Sequence, residues 1–193
     1  MNTAPKDVTL TCRSELLSDR LRLHYVVSSH AGADLYVLDA SPLAAAQGQD
    51  AVADPSSAFV CYHEPSMALV LKGIAPLPVD RDIKARIIPL GTKLVPESTL
   101  SRSLELSLPL QEQSPYYSPL EPKACEEILV ATVLLRVQFL RITAEGFEAE
   151  ASSWPDLFFV RSKHTVGHAE SLECQLGVGN VKLLRRTGPF TRM

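Results

Sequence analysis

The chain has 193 residues, 46% apolar and 21% charged, which suffices for one well-cored globular domain and excludes wholesale disorder. Its net charge of −3 gives no electrostatic drive toward nucleic acid, whose binding rests on phosphate neutralisation. Fourteen prolines against nine glycines argue for many loops and few long helices, because proline breaks helix interiors.

The N-terminal MNTAPKDVTLTC lacks the basic and then apolar regions of a secretory signal. The longest apolar run, ILVATVLL at 128–135, stops at Arg136, well short of the ~20 residues a membrane helix needs. A soluble, cytoplasmic protein without a membrane partner is expected. Cys12, Cys61, Cys125 and Cys174 form no CxxC pair and, in that setting, read as buried thiols.

Period-two alternation runs along most of the chain and predicts strands with one buried face. In VTLTCR, Val8, Leu10 and Cys12 oppose Thr9, Thr11 and Arg13. In RLRLHYVV, Leu21, Leu23, Tyr25 and Val27 oppose Arg22, His24 and Val26. DLYVLDA follows after a short loop containing Gly32, and the two segments read as a hairpin. SPLAAAQGQDAVADP is the only helix-leaning stretch, limited to a turn or two by Gly48 and its prolines. AFVCYH and MALVLKGI form a second hairpin, with Pro65 presetting the turn.

IKARIIPL reads as a further strand. LSRSLELSLPL does so more clearly, with Leu100, Leu104, Leu106 and Leu108 opposite Ser101, Ser103, Glu105 and Ser107. EILVATVLLRVQFLRI is the centre of the expected core. Its odd positions from Leu129 to Phe139 are all apolar, while its even ones turn polar at Arg136 and Gln138, which suggests a long strand with a bend or bulge. LFFVRS, AESLECQL and a short VKLL complete nine to eleven predicted strands. The expected fold is all-β, an antiparallel sandwich, immunoglobulin-like or related, over residues 1–180. A basic tail, 181–193, carries Lys182, Arg185, Arg186 and Arg192 and no acid.

Three groups of residues are candidates for function. HTVGHAESLEC begins with His164 and His168, spaced for co-ligation on one helix face, but Thr-Val-Gly between them is a poor helix former and a turn is expected. Cys174 sits between Leu172 and Leu176 and reads as core. Cys61 and His63 are about 6.6 Å apart on one strand face, so a site for a divalent transition metal could join His63 to His164 and His168 if the segments meet. The third group is the loop PLQEQSPYYSPLEPKA, residues 109–124, whose four prolines flank Tyr116 and Tyr117. Two rings on an extended proline-rich segment suit a protein interface, and Arg185 and Arg186 of the tail could join it. GxSxG and P-loop motifs are absent, Gly177-Val178-Gly179 lacks the third glycine of a dinucleotide fingerprint, and Asp80 with Asp82 reads as a solvated turn beside Arg81 and Lys84.

The pair LHYVVSSHAGADLYVL and LVPESTLSRSLELSLP resembles strand pairs of immunoglobulin-like sandwiches, among them the bacterial intracellular proteinase inhibitors. The resemblance implies a fold, not an activity. The antibody pattern of cysteine, tryptophan and cysteine is missing, since Trp154 lies outside Cys61 to Cys125.

The function expected from these residues is a non-catalytic protein-binding or assembly module without a cofactor. It would act through an exposed sheet edge, the 109–124 loop or the tail, with a protein partner and a homo-oligomer both open to it. The alternatives are a small metal-binding protein or metalloenzyme using His63, His164 and His168, and a proteinase inhibitor.

Overall fold

The computed structural model describes residues 7–43 and 52–193. Its first strands are β1 (Val8–Leu16), β2 (Arg20–Ser29) and β3 (Leu35–Leu43). β4 (Val52–Asp54), β5 (Phe59–Glu64), β6 (Met67–Lys72) and β7 (Leu90–Leu94) follow. β8 (Ser98–Ser107), the two-residue β9 (Leu110–Gln111) and β10 (Cys125–Arg141) come next. β11 (Glu148–Ala151), β12 (Leu157–Arg161), a single helical turn α1 (Thr165–His168) and β13 (Glu170–Arg186) complete the order. Most of the helix-leaning 41–55 stretch lies outside the described residues. Among those described, no helix is long and apolar enough to cross a membrane.

The strands form an all-β sandwich. A small antiparallel sheet has the order β1-β2-β8. It lies over a large sheet with the path β11-β12-β7-β3-β10-β13-β9, to which β4, β5 and β6 are added. The large sheet is antiparallel except where β6 runs parallel to β10 and β9 to β13. Leu21, Leu23, Tyr25 and Val27 of β2 and Leu100, Leu104 and Leu106 of β8 point inward, as their alternation predicts. They meet Val37, Val70, Val133, Leu135, Val137 and Phe139 of the large sheet.

The predicted hairpin of β2 with β3 does not form. β2 has one polar face and belongs in the small sheet, which faces solvent on one side. β3 is apolar on both faces: Leu35 and Val37 enter the core, while Tyr36 and Leu38 join a second cluster on the far side. Only the middle of the large sheet can cover both, so the chain crosses between sheets at residues 30–34. The hairpin of β5 with β6 forms as expected, turning through Pro65 and Ser66.

IKARIIPL is not a strand over 83–89. Ile83, Ile87 and Ile88 instead pack onto the outer face of the large sheet as an irregular cover. AESLECQL and VKLL are parts of one continuous β13, which runs through Arg186, so half of the segment set apart as a tail is strand.

β10 pairs with β13 along nearly its whole length. At its middle the ladder slips: Val130 faces Val181 and Thr132 faces Gly177, so two residues of β10 match four of β13. Gly179, inside the longer stretch, takes a φ of 70°, which glycine adopts without a Cβ penalty. On the β10 side, the amides of Ala131 and Thr132 both donate to the Ser66 carbonyl. The slip inverts the facing of β10. Ile128 and Val130 point to the core before it, and Val133 to Phe139 on odd positions after it. Leu129, which unbroken alternation would bury, is 55% exposed.

One flank of the sandwich is closed covalently. Cys12 of β1 and Cys174 of β13 form a disulfide across the two sheets, with Cα atoms 6.4 Å apart and a sequence separation of 162. This corrects the reading of all four cysteines as buried thiols, which holds for Cys61. The two inward positions face each other because β1 lies alongside β13, a neighbourhood set by tertiary packing alone. Arg141 at the end of β10 adds a polar tie on Asp7 beside β1, with two contacts of 2.7 and 2.9 Å, and a second on Glu170 at 2.6 Å. The Arg141 hydrogen bond lowers the Asp7 carboxyl below its usual pKa.

Replacing Cys12 and Cys174 with serine should cost about 2–4 kcal/mol of stability, because a crosslink closing so long a loop restricts the unfolded chain. Urea denaturation checks this. Reductant should lower the wild-type midpoint toward that of the serine variant and leave the variant unmoved.

Candidate functional site

The histidine segments do not meet. Tyr62, next to His63, pairs with Ala68 of β6, and Ala68 pairs with Val133 of β10. Glu170, next to α1, pairs with Phe139. Six residues of β10 therefore separate the two levels, about 20 Å at ~3.3 Å per residue. His164 and His168 do lie together, ring centroids 5.8 Å apart and edge to face. His168 Nδ1 is engaged by the Ser162 hydroxyl at 3.0 Å. His63 Nδ1 donates to the main-chain oxygen of Met193. Among the described residues no three His, Cys, Asp or Glu side chains gather as a metal ligand set. His63 at the end of β5 and the α1 histidines before β13 lie at different levels along β10, so these three do not form one ligand set.

The proline-tyrosine loop and the tail come together on the outer face of the large sheet. That face is apolar at Phe59, Leu69, Leu71 and Leu134, and irregular chain covers it. The loop is anchored to β5 by a two-way backbone bridge between Val60 and Gln113. Tyr116 is buried; its hydroxyl accepts the Ile87 amide at 2.9 Å, and its carbonyl accepts Arg81 at 2.9 Å. Tyr117 is half-buried and donates to Asp80 at 2.6 Å, with the Arg81 guanidinium 4.5 Å over its ring. Burial, with Asp80 adding to it, raises the Tyr117 phenol pKa. Asp80 thus has a structural partner that its place in a charged turn did not reveal.

Arg185 pairs with Glu126 at 3.0 Å and lies 5.0 Å over the Tyr62 ring. Arg186 donates to the Ser118 carbonyl and faces the rings of Tyr117 and Phe190. These two arginines and the two tyrosines are brought to one region, but they are spent largely on each other and on their own domain. Between the loop and the sheet remains a cavity of about 350 Å³, bordered by Pro42, Phe59, Glu112, Pro115, Tyr117 and Arg186.

Glu112 is the residue that sequence reasoning missed here. Its carboxylate is fully buried and accepts the backbone amides of Tyr62 at 2.9 Å and Arg186 at 2.8 Å. Arg192 completes it through two contacts of 2.7 and 2.6 Å. The only sequence signal was an acid inside a loop otherwise rich in proline and aromatics.

A second unforeseen polar group lies between the sheets. Asp39 of β3 is buried and accepts Thr92 at 2.6 Å and Arg102 of β8 at 2.8 Å. Arg102 occupies an inward position between Leu100 and Leu104, so its place on the leucine face of β8 was the available clue. Lys72 of β6 is 2% exposed, and its amine donates to the carbonyls of Pro55 at 2.7 Å and Ser57 at 2.5 Å. Burial pushes its pKa down to about 8, against the pull of Asp39 and Asp54. The same burial raises the Tyr25 phenol pKa, with Asp39 adding to it.

The flank opposite the disulfide is open. β8 is an edge: among the described residues, nothing pairs with the side turned away from β2. It runs for ten residues in unbroken register with β2 and contains neither proline nor lysine. A polar cleft of about 340 Å³ adjoins its end, between Glu105, Ser107, Asp54, Ser57 and Gln113. On the outer face of the same sheet, Arg13, Glu15, Arg22, His24 and Ser103 border a shallow depression of about 390 Å³, in which Glu15 and Glu105 hold Arg22.

Two measurements follow from this geometry. Tyr116→Ala should destabilise by about 3–5 kcal/mol, as for other large buried aromatics, and this is read from the denaturation midpoint. For Lys72 the folded pKa lies below the ordinary 10.5. Below about pH 8 the amine is charged in both states and its full burial cost opposes folding. Between about 8 and 10.5 the folded protein sheds the proton first, so stability rises with pH, by an amount on the order of 3 kcal/mol. Lys72→Met should flatten that rise in a series of melts. No family model matches the chain, and no curated protein or solved structure was found similar to it.

Proposed function

We propose that the protein is a non-catalytic binding or assembly module that takes a strand from a partner chain onto the exposed edge of β8. The observation that carries this reading is the edge itself. Among the described residues its outer backbone donors and acceptors are unpaired over ten residues, a template for another strand. Proteins that avoid such pairing interrupt their edges with bulges, prolines or lysines, and β8 has none of these. Its one inward charge, Arg102, is already matched by Asp39, so an added strand would not bury an unpaired cation. Of the three surfaces expected from the sequence, the loop and the tail are largely engaged within the chain, which leaves the edge best placed for a partner.

A second copy is the partner always at hand, since two β8 edges brought antiparallel would join two small sheets into one. The Cys12–Cys174 disulfide favours an oxidising setting for this work over the cytoplasmic one expected from sequence.

The test places lysine on the edge at Thr99 and Ser101, both exposed. Sedimentation over a concentration series should show self-association of the wild type. The Thr99→Lys, Ser101→Lys variant should remain monomeric with an unchanged melting temperature. A wild type that neither self-associates nor captures a partner chain would sink the reading.

A further inference from the structure

Residues 188–193 are held in a groove by side chains rather than by a strand ladder. The Phe190 ring stacks on Phe59 at 5.9 Å with 5° between the planes, and lies 5.0 Å from Tyr117. Thr191 Oγ1 accepts the Val79 amide at 3.2 Å. Arg192 grips Glu112 with two hydrogen bonds and also donates to the Arg186 carbonyl at 3.0 Å. The β-ladder has ended by then; the last backbone–backbone hydrogen bond is Thr187 to Ala124 at 3.1 Å, and His63 Nδ1 donates to the Met193 main-chain oxygen. Gly188 follows, with open space around it, and then Pro189.

Glu112 belongs to the groove, not to the segment. The amides of Tyr62 and Arg186 fix it, and with the segment seated its burial is complete. With the segment withdrawn, the groove would keep a fixed carboxylate without its cation, beside an aromatic slot left open between Phe59 and Tyr117. A carboxylate in that state strongly favours any guanidinium that can reach it in bidentate geometry. The groove therefore selects an extended segment with an aromatic ring and, two residues on, an arginine.

We propose that this groove is an exchange site between copies of the chain: residues 189–193 of one molecule fill the groove of a second, swinging about Thr187-Gly188-Pro189. The second copy is the occupant because it carries the complementary ring and guanidinium at the right spacing. The swing leaves β13 intact up to Arg186. This site is separate from the β8 edge and does not depend on it.

The test uses the full chain and a synthetic peptide of residues 187–193. The Phe190→Ala, Arg192→Ala variant empties the groove. Labelled peptide should bind it, followed by fluorescence anisotropy, and raise its melting temperature. Wild type should bind at least about tenfold more weakly, because its tethered segment competes at high effective concentration. Adding Glu112→Gln to the emptied variant should abolish binding.

Exchange is then tested by mixing the emptied variant with the Glu112→Gln single variant, which keeps its own segment. A one-to-one heterodimer by light scattering is expected. It should persist when both chains carry the Thr99→Lys, Ser101→Lys substitutions, whereas a dimer through β8 should not. If the emptied variant does not fold alone, the peptide is supplied during refolding, and recovery of the wild-type spectrum supports the proposal. Absence of peptide binding or rescue, or a mixture that stays monomeric, overturns it.

Discussion

The structure depends on β10 being paired on both sides and covered on both faces over its second half. β13 lies along one side, and β6 and then β3 along the other. Every backbone group there must find a partner inside the protein, because water cannot reach it. That requirement accounts for the slip at Val130 to Thr132. The inversion lets the first half of β10 bury Ile128 and Val130 while the second buries Val133 to Phe139. The two-sided burial also accounts for the irregular outer cover. A large sheet this apolar on its far side needs residues 73–89, the proline-tyrosine loop and the closing segment to keep water from it.

The two flanks of the sandwich are held by different chemistry. On one, a disulfide and the Arg141 ion pairs join β1 to the large sheet. On the other, Arg102 reaches across to Asp39 and Thr92, but among the described residues no ladder closes the gap beside β8. The first flank resists opening. The second is polar and offers unpaired backbone. The loop tyrosines and tail arginines are spent largely on internal contacts, and among the described residues the β8 edge is open to a partner; that asymmetry is the physical basis of the binding role proposed.

Much of the strand pattern was legible because one-sided burial writes itself as alternation. β2 and β8 show it residue by residue, and Pro65 marked the turn between β5 and β6. What could not be read depended on neighbours far away in sequence. Nothing near Cys12 announces Cys174, and the alternation around each fits a buried thiol equally well. The outward facing of Leu129 follows from a slip that only the β13 partner imposes. The candidate site was half visible: Tyr116 and Tyr117 stood out, yet their inward packing depends on Ile87, Asp80 and Phe190, which lie 29 to 73 residues away. Arg102 and Lys72 did carry a local signal, a charge at a position whose neighbours are buried. Such a charge implies a buried partner without naming it.

The distance between Cys12 and Cys174 also sets an order of events during synthesis. The strands of the small sheet have all emerged by Ser107, and they can pair among themselves. β10 then waits for β13, and β1 keeps an unbonded sulfur until the chain has grown past residue 174. Through that interval two long apolar strand edges stand open, the state in which nascent β proteins are most prone to wrong pairing. The covalent bond can form only once Cys174 has been made, by which point every strand of the small sheet is already present.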